Sequence, residues 1–160
     1  MAEIRPADEY SDAMSYTVTE SVVAAQVTAV ICRSTTWDAF PRLWPSLLSE
    51  VWATARASAE IEPNRNVMLY RDDVPNVEIG VEVATPFAAV GRVVPSSLPA
   101  GRVATTMHRG AYEEIGLAHQ AIIDWCDRHG LQRTGARWEI YGHATEHTAD
   151  QEVDVYYLLR

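Results

Sequence analysis

Between positions 22 and 32 the chain alternates. In VVAAQVTAVIC, Val27, Ala29 and Ile31 fall on one face, and the run is rich in β-branched residues, which predicts a strand. The period then changes: Phe40, Leu43, Trp44, Leu47, Leu48, Val51, Trp52 and Ala55 recur at steps of three and four, the spacing of one helix face. Pro41 and Pro45 fit that helix only in its opening turn or at a bend. Two short extended runs follow, NVMLY (66–70) and VEIGVEV (77–83), and the turn-rich RDDVPN between them predicts a hairpin.

The segment PFAAVGRVVPSSLP, with three prolines, shifts composition and reads as a linker. After it the same order restarts. GRVATTMHRG is a strand candidate, and YEEIGLAHQAIIDWCDRHG a helix with acids in its first turn and Gly130 at its end. ARWEIYG and EVDVYYLLR form a closing hairpin. The halves also match in detail. Val27 and Arg33 recur as Val103 and Arg109, Leu69-Tyr70 resembles Ile140-Tyr141, and Met68 is the repeat mate of Glu139. The expected fold is therefore α+β: two strand-helix-strand-strand repeats pairing into one antiparallel sheet, both helices on one side, with a ligand groove between the repeats. Residues 1–15 show no hydrophobic period and read as a disordered tail, and 16–160 as a single domain. Within that domain, repeat one covers about 18–85, the linker about 86–100 and repeat two about 101–160.

Composition narrows the chemistry. At 160 residues with 48% hydrophobic and 22% charged side chains, the chain can bury one core unaided. No apolar run reaches the ~20 residues that cross a bilayer, and the start carries no signal-peptide pattern, so a cytoplasmic location without a membrane partner is expected. A formal net charge of -9 argues against direct nucleic-acid binding. All thirteen basic side chains are Arg, which excludes a lysine Schiff base and a P-loop lysine. Cys32 and Cys126 stand far apart without CxxC partners and read as buried free thiols.

With that order of elements in place, HRGAYEEIGLAHQAIIDWCDRHGL, then G-x-x-W-E-I-Y, then VDVYYLL resemble the second repeat of GyrI-like effector-binding domains, a resemblance spanning roughly 18–160. Its most recognisable pieces are the helix entrance Gly110-Ala111-Tyr112-Glu113 and the acid within Trp138-Glu139-Ile140-Tyr141. In multidrug-responsive transcription regulators such a domain is fused to a DNA-binding helix-turn-helix and captures lipophilic, often cationic, aromatic compounds. No helix-turn-helix segment is legible here, so the resemblance implies a stand-alone binder of such small molecules. The family also contains hydrolases of strained cyclopropyl compounds and inhibitors of a DNA-acting enzyme, which would add a separate protein partner.

Glu139 is the leading site candidate. It falls inside an apolar and aromatic strand, its repeat mate is the neutral Met68, and the resemblance puts the ligand-recognising acid at its position. A carboxylate in an apolar cavity is costly unless paired, which suits a hydrophobic cation. The alternative, Glu139 on the solvent face, stays open because alternation groups it with Tyr141 without saying which face they share. Phe40, Trp44, Tyr112 and Tyr141 are the candidate walls, since aromatic faces attract cations and stack on flat ligands. The Phe40, Trp44, Leu48, Trp52 stripe is equally the core face of a helix. If the protein is an enzyme, Glu139 would position or deprotonate a water. His143-Ala-Thr-Glu146-His147 matches HxxEH, but that pattern grips metal from a helix and here falls in a predicted loop, so neither metal nor cofactor is expected. His108, His119 and His129 stand isolated in the sequence.

Overall fold

The computed structural model describes residues 15–160. It contains eight strands: β1 (Thr19–Val23), β2 (Gln26–Ser34), β3 (Pro63–Tyr70), β4 (Asn76–Val83), β5 (Val94–Leu98), β6 (Gly101–Arg109), β7 (Arg133–Tyr141) and β8 (Glu152–Leu159). Helices α1 (Phe40–Ala57) and α2 (Ile115–Arg128) complete it. Helix α1 accepts Pro41 in its first turn, where no helical N–H is needed, and carries Pro45 inside. A 3-10 turn, Tyr112–Glu114, leads into α2.

The strands make one antiparallel sheet in the order β1-β6-β8-β7-β3-β4-β2-β5. Its two halves, β6-β8-β7 and β2-β4-β3, are mirror images in order about the central pair β3·β7. In that pair Met68 lies directly opposite Glu139. Repeat mates that face each other mark the pseudo-twofold axis, so Glu139 sits on the axis itself.

Two features depart from the pattern expected of the sequence. The run from Val22 to Cys32 is not one strand: it breaks at Ala24-Ala25, and β1 crosses to pair with β6 of the other repeat. The presumed linker holds β5, which pairs with β2. Each half thus gains an edge strand from beside its partner. The expected tail at 1–15 lies, save residue 15, outside the described residues.

Those links also bend the sheet. In a flat sheet β5 and β6 would stand six strand spacings apart, about 29 Å. Only Pro99 and Ala100 join them, a span of at most about 11 Å. The sheet must therefore curl until its edges approach, and the same holds for β1 and β2. The inner face is the one on which residues from both edges meet the centre: Leu98, Val103, Val30, Val67, Leu69, Trp138 and Ile140 form one buried cluster. Trp138 stacks on Tyr156 there, with ring centroids 5.5 Å apart. Glu78 and Glu82 are buried on this face too. Arg71 and Ser96 satisfy Glu78, and Arg65 satisfies Glu82.

On the outer, convex face each helix covers its own half. Helix α1 packs Phe40, Leu47, Val51 and Ala55 over β2 and β4, and α2 packs Ala118, Ile122 and Cys126 over β6 and β8. A convex surface splays the helices apart, and the seam β3·β7 runs between them. Both cysteines are free, but Cys32, near the end of β2, is exposed rather than buried: it points to the inner face, which no helix covers, beyond Val30, where the pairing with β5 ends. Among the described residues no helix is long and apolar enough to cross a membrane.

Candidate functional site

Strand alternation brings Met68 and Tyr70 of β3, and Arg137, Glu139 and Tyr141 of β7, to the convex face at the seam. Glu139 is 2% exposed, so the alternative of a solvent-facing acid does not hold. Its carboxylate is met from three sides. Tyr70 Oη donates to Oε1 at 3.1 Å, Tyr141 Oη donates to the same oxygen at 2.7 Å, and His119 Nε2 lies 2.6 Å from Oε2. Tyr70 and Tyr141 are repeat mates, so the pseudo-twofold delivers one phenol from each half to the acid on its axis.

Burial, reinforced by the Glu139 charge, pushes the Tyr70 and Tyr141 hydroxyls well above the usual phenol range. Burial likewise raises Tyr157 to about 12. All three phenols remain protonated donors at neutral pH. A carboxylate can only accept, so the proton between Glu139 and His119 belongs to Nε2. His119 Nδ1 is 2.7 Å from Tyr157 Oη and, on a neutral ring, accepts that hydroxyl's proton. The resulting chain runs from Tyr157 through His119 to Glu139. Among the described residues no Lys or Arg comes within 4 Å of the Glu139 carboxylate; His119 is its sole ionisable partner of opposite sign.

Aromatic rings extend from this centre in both directions. Tyr70 packs against Phe40 at 5.5 Å and Trp37 at 5.6 Å, while Tyr141 meets Tyr112 edge-on at 5.3 Å. Trp37 and Tyr112 hold matching places, each just ahead of its repeat's helix, and are the exposed ends of the two walls at 45% and 37%. One wall already holds a cation: the Arg137 guanidinium lies 5.5 Å over Trp37 and 5.7 Å over Tyr70, and Asp73 ties it at 2.7 Å. These side chains close over Glu139, which is 2% exposed.

Of the candidates named from sequence, Glu139, Tyr141, Tyr112 and Phe40 belong to this one group. Trp44 sits a turn after Phe40 and is half-buried, packed against the core cluster that holds Phe40, Met68 and Tyr70. His119, Tyr70, Trp37 and Tyr157 belong to the group and were not singled out as site residues. His108 is buried and bonds Tyr16 and the Ala111 carbonyl, a role within the scaffold. The HxxEH stretch lies in an exposed loop, and among the described residues no three His, Cys, Asp or Glu side chains gather as metal ligands.

A duplicated antiparallel sheet with one helix over each half and a walled acid at the seam defines a small-molecule-binding class. The model of the GyrI-like small molecule binding domain matches residues 23–160, and the chain belongs to this family. It is a small-molecule-binding domain. The C-terminal domain of EcmrR superposes with a TM-score of 0.74 at 15% identity, covering 91% of this chain and 98% of that one. SAV2435 bound to tetraphenylphosphonium superposes at 0.68 with 10% identity, over 91% of this chain and 94% of that one. A hydrolase from Listeria innocua superposes at 0.59 with 12% identity, over 98% of each chain. At these identities the likenesses show the fold. Among curated proteins no sequence matches the chain.

Proposed function

We propose that the chain captures lipophilic aromatic cations at the seam, with Glu139 as counter-charge, Tyr70, Phe40 and Trp37 as one wall, and Tyr141 and Tyr112 as the other. Trp44 enters only as backing for Phe40. The observation that carries this reading is a carboxylate 2% exposed whose hydrogen-bond partners are two phenols and an imidazole, with, among the described residues, no Arg within 4 Å of it; the nearby Arg137 is tied to Asp73. A buried charge left without a counter-ion is costly, and an aromatic cation relieves that cost while stacking on the walls at about 0.5–2 kcal/mol per ring. SAV2435, which shares the fold, is seen with tetraphenylphosphonium, a cation of this kind. Binding requires the closed walls to part, and their exposed ends, Trp37 and Tyr112, are the side chains to move first, Trp37 giving up its 3.0 Å bond to the Asp73 carbonyl.

The test is a fluorescence titration of wild type and Glu139→Gln with tetraphenylphosphonium and with neutral triphenylphosphine oxide. A charge-assisted contact contributes about 1.5–3 kcal/mol, so the substitution is expected to weaken the cation about 10- to 100-fold and the neutral ligand far less. Equal losses for both ligands would reject the reading.

One observation favours a second reading, hydrolysis of a strained electrophile. The 2.6 Å contact of His119 with Glu139, backed by Tyr157, makes a hydrogen-bonded chain along which a proton can pass, beside the aromatic walls. In that reaction a water oxygen bonds to the strained ring carbon, its proton passes to Glu139, and the electron pair of the breaking C–C bond leaves to the substrate's conjugated acceptor group. Mass analysis of a cyclopropyl substrate after incubation separates the readings: Glu139-dependent addition of water supports hydrolysis, and unaltered ligand supports capture.

A further inference from the structure

His119 is the one hydrogen-bond partner of Glu139 that can carry a positive charge. The two phenols are fixed on strands and held neutral by burial, whereas imidazole is the side chain that ordinarily gains or loses a proton between pH 5 and 8. Its position is built rather than incidental. It stands on α2 with its side chain 17% exposed, and its two nitrogens are bound at 2.6 Å and 2.7 Å. Tyr157 on β8 fixes the ring so that Nε2 points at the acid.

From this geometry we infer that His119 is a specificity-determining residue acting as an exchangeable internal counter-ion: a cationic ligand takes its place electrostatically, and capture of the cation releases one proton. The inference rests on the cation-capturing reading of the seam. When His119 carries two protons, the pair it forms with Glu139 is neutral overall, and a ligand cation meets a positive imidazolium beside an acid already paired. When His119 is neutral, the carboxylate keeps its full charge for the ligand. The site therefore favours cations at higher pH and loses that preference on acidification.

The groups around His119 leave it in control of this change. Glu139 of β7 and Tyr157 of β8 bond it, Tyr141 of β7 and Tyr70 of β3 bond the other oxygen of that acid, and the phenols stay neutral throughout the window. Its own helix places the apolar Ile115 and Ile123 a turn to either side, and Tyr112 reaches the group through Tyr141. Arg137 and Arg133 on β7, with Asp73, act on Tyr157 from further off. Arg137 is permanently charged and neutralised by Asp73.

The sign is fixed by proton counting. If the complex holds one proton fewer than the free protein on the acid side of the imidazole titration, affinity falls as pH falls, by about tenfold per pH unit, and levels off above it. Calorimetric titration with tetraphenylphosphonium between pH 5 and 8.5, in buffers of different ionisation heat, reads the released proton directly in the wild-type protein. The expected result is close to one proton released below the transition and none above it, while triphenylphosphine oxide releases none at any pH. In His119→Gln, which keeps an N–H toward Glu139 but cannot take a second proton, the cation's affinity is expected to be flat across the window. Glu139-dependent cation binding without proton release, or the same pH slope in His119→Gln as in wild type, would overturn the inference and leave cation capture standing. No cation binding at any pH would overturn both.

Discussion

Replacing Glu139 by alanine is expected to cost about 2–4 kcal/mol of stability, while glutamine leaves stability within about 1 kcal/mol of wild type. The contrast follows from who is left unpaired. Alanine removes the acceptor shared by Tyr70, Tyr141 and His119, three buried or half-buried donors, of which Tyr70 alone keeps a second and weak acceptor, Met68 Sδ at 3.7 Å. Each such orphan costs about 1–3 kcal/mol, part of which water entering the vacated space would recover. Glutamine can rebuild the network. Its amide oxygen takes the two phenol protons, and its NH2 faces His119 Nε2, which accepts once the ring's proton moves to Nδ1 and is donated to Tyr157. Urea unfolding followed by Trp fluorescence measures both variants. An alanine variant as stable as the glutamine one would show that the phenols and the imidazole do not depend on the acid.

The larger structural effect is expected at Gly80. A Cβ there would fall 1.9 Å from the Ala29 carbonyl oxygen and 2.8 Å from Val30 Cα, backbone atoms of the neighbouring strand that no side-chain rotation can move aside. Gly80 lies opposite Val30 in the β2·β4 pair, on the inner face where the curled sheet is tightest. Gly80→Ala must push these strands apart and disturb the ladder beneath α1, at about 3 kcal/mol or more. For a domain of this length that lowers Tm by about 10 °C. Gly116, in the first turn of α2, is the control. An added Cβ there meets nothing within 4 Å, and Gly116→Ala should stabilise the helix by a few tenths to about 1 kcal/mol. Thermal unfolding of the pair reads both signs, and a Gly80→Ala protein as stable as wild type would contradict the close approach of β2 and β4.

How much of this the sequence discloses depends on the element. Both helices are legible because each buries one face of a regular period, and both hairpins because extended, β-branched runs flank turn residues, although β4 is buried on both faces. That Met68 and Glu139 are repeat mates is legible too, but not that they face each other, since Tyr70 and Tyr141 are equally mates and Tyr70 pairs with Arg137. The edge strands are not legible. TESVV is almost wholly exposed, and VPSSL, though its cover alternates, carries Pro95 at its second place, tolerable only on an edge strand, with serines between Pro95 and Leu98, so neither reads as a strand from its residues. Without them nothing in the sequence reveals that the sheet curls, and the inner cluster around Trp138 has no visible cause.

At the site, Glu139 and Tyr141 stand out as polar groups in an apolar strand. Tyr70 could have been found by the same logic, since the duplication that matched Ile140-Tyr141 to Leu69-Tyr70 makes it Tyr141's counterpart. His119 also left a trace. It stands four residues after Ile115, three before Ile122 and seven before Cys126, on the buried stripe of α2, where an imidazole needs a partner. What periodicity cannot supply is the partner's identity, because His119, Tyr157 and Glu139 meet only through the packing of α2 over β8 beside the seam.

The most direct test of the account is a crystal structure of the protein with tetraphenylphosphonium. The account predicts the phosphonium between the Trp37–Tyr70 and Tyr112–Tyr141 walls, with the Glu139 carboxylate as its nearest charge and the bonds from Tyr70 and Tyr141 lengthened or broken. A ligand seated on the inner face of the sheet or in an outlying hollow, with all three bonds to Glu139 intact, would contradict it.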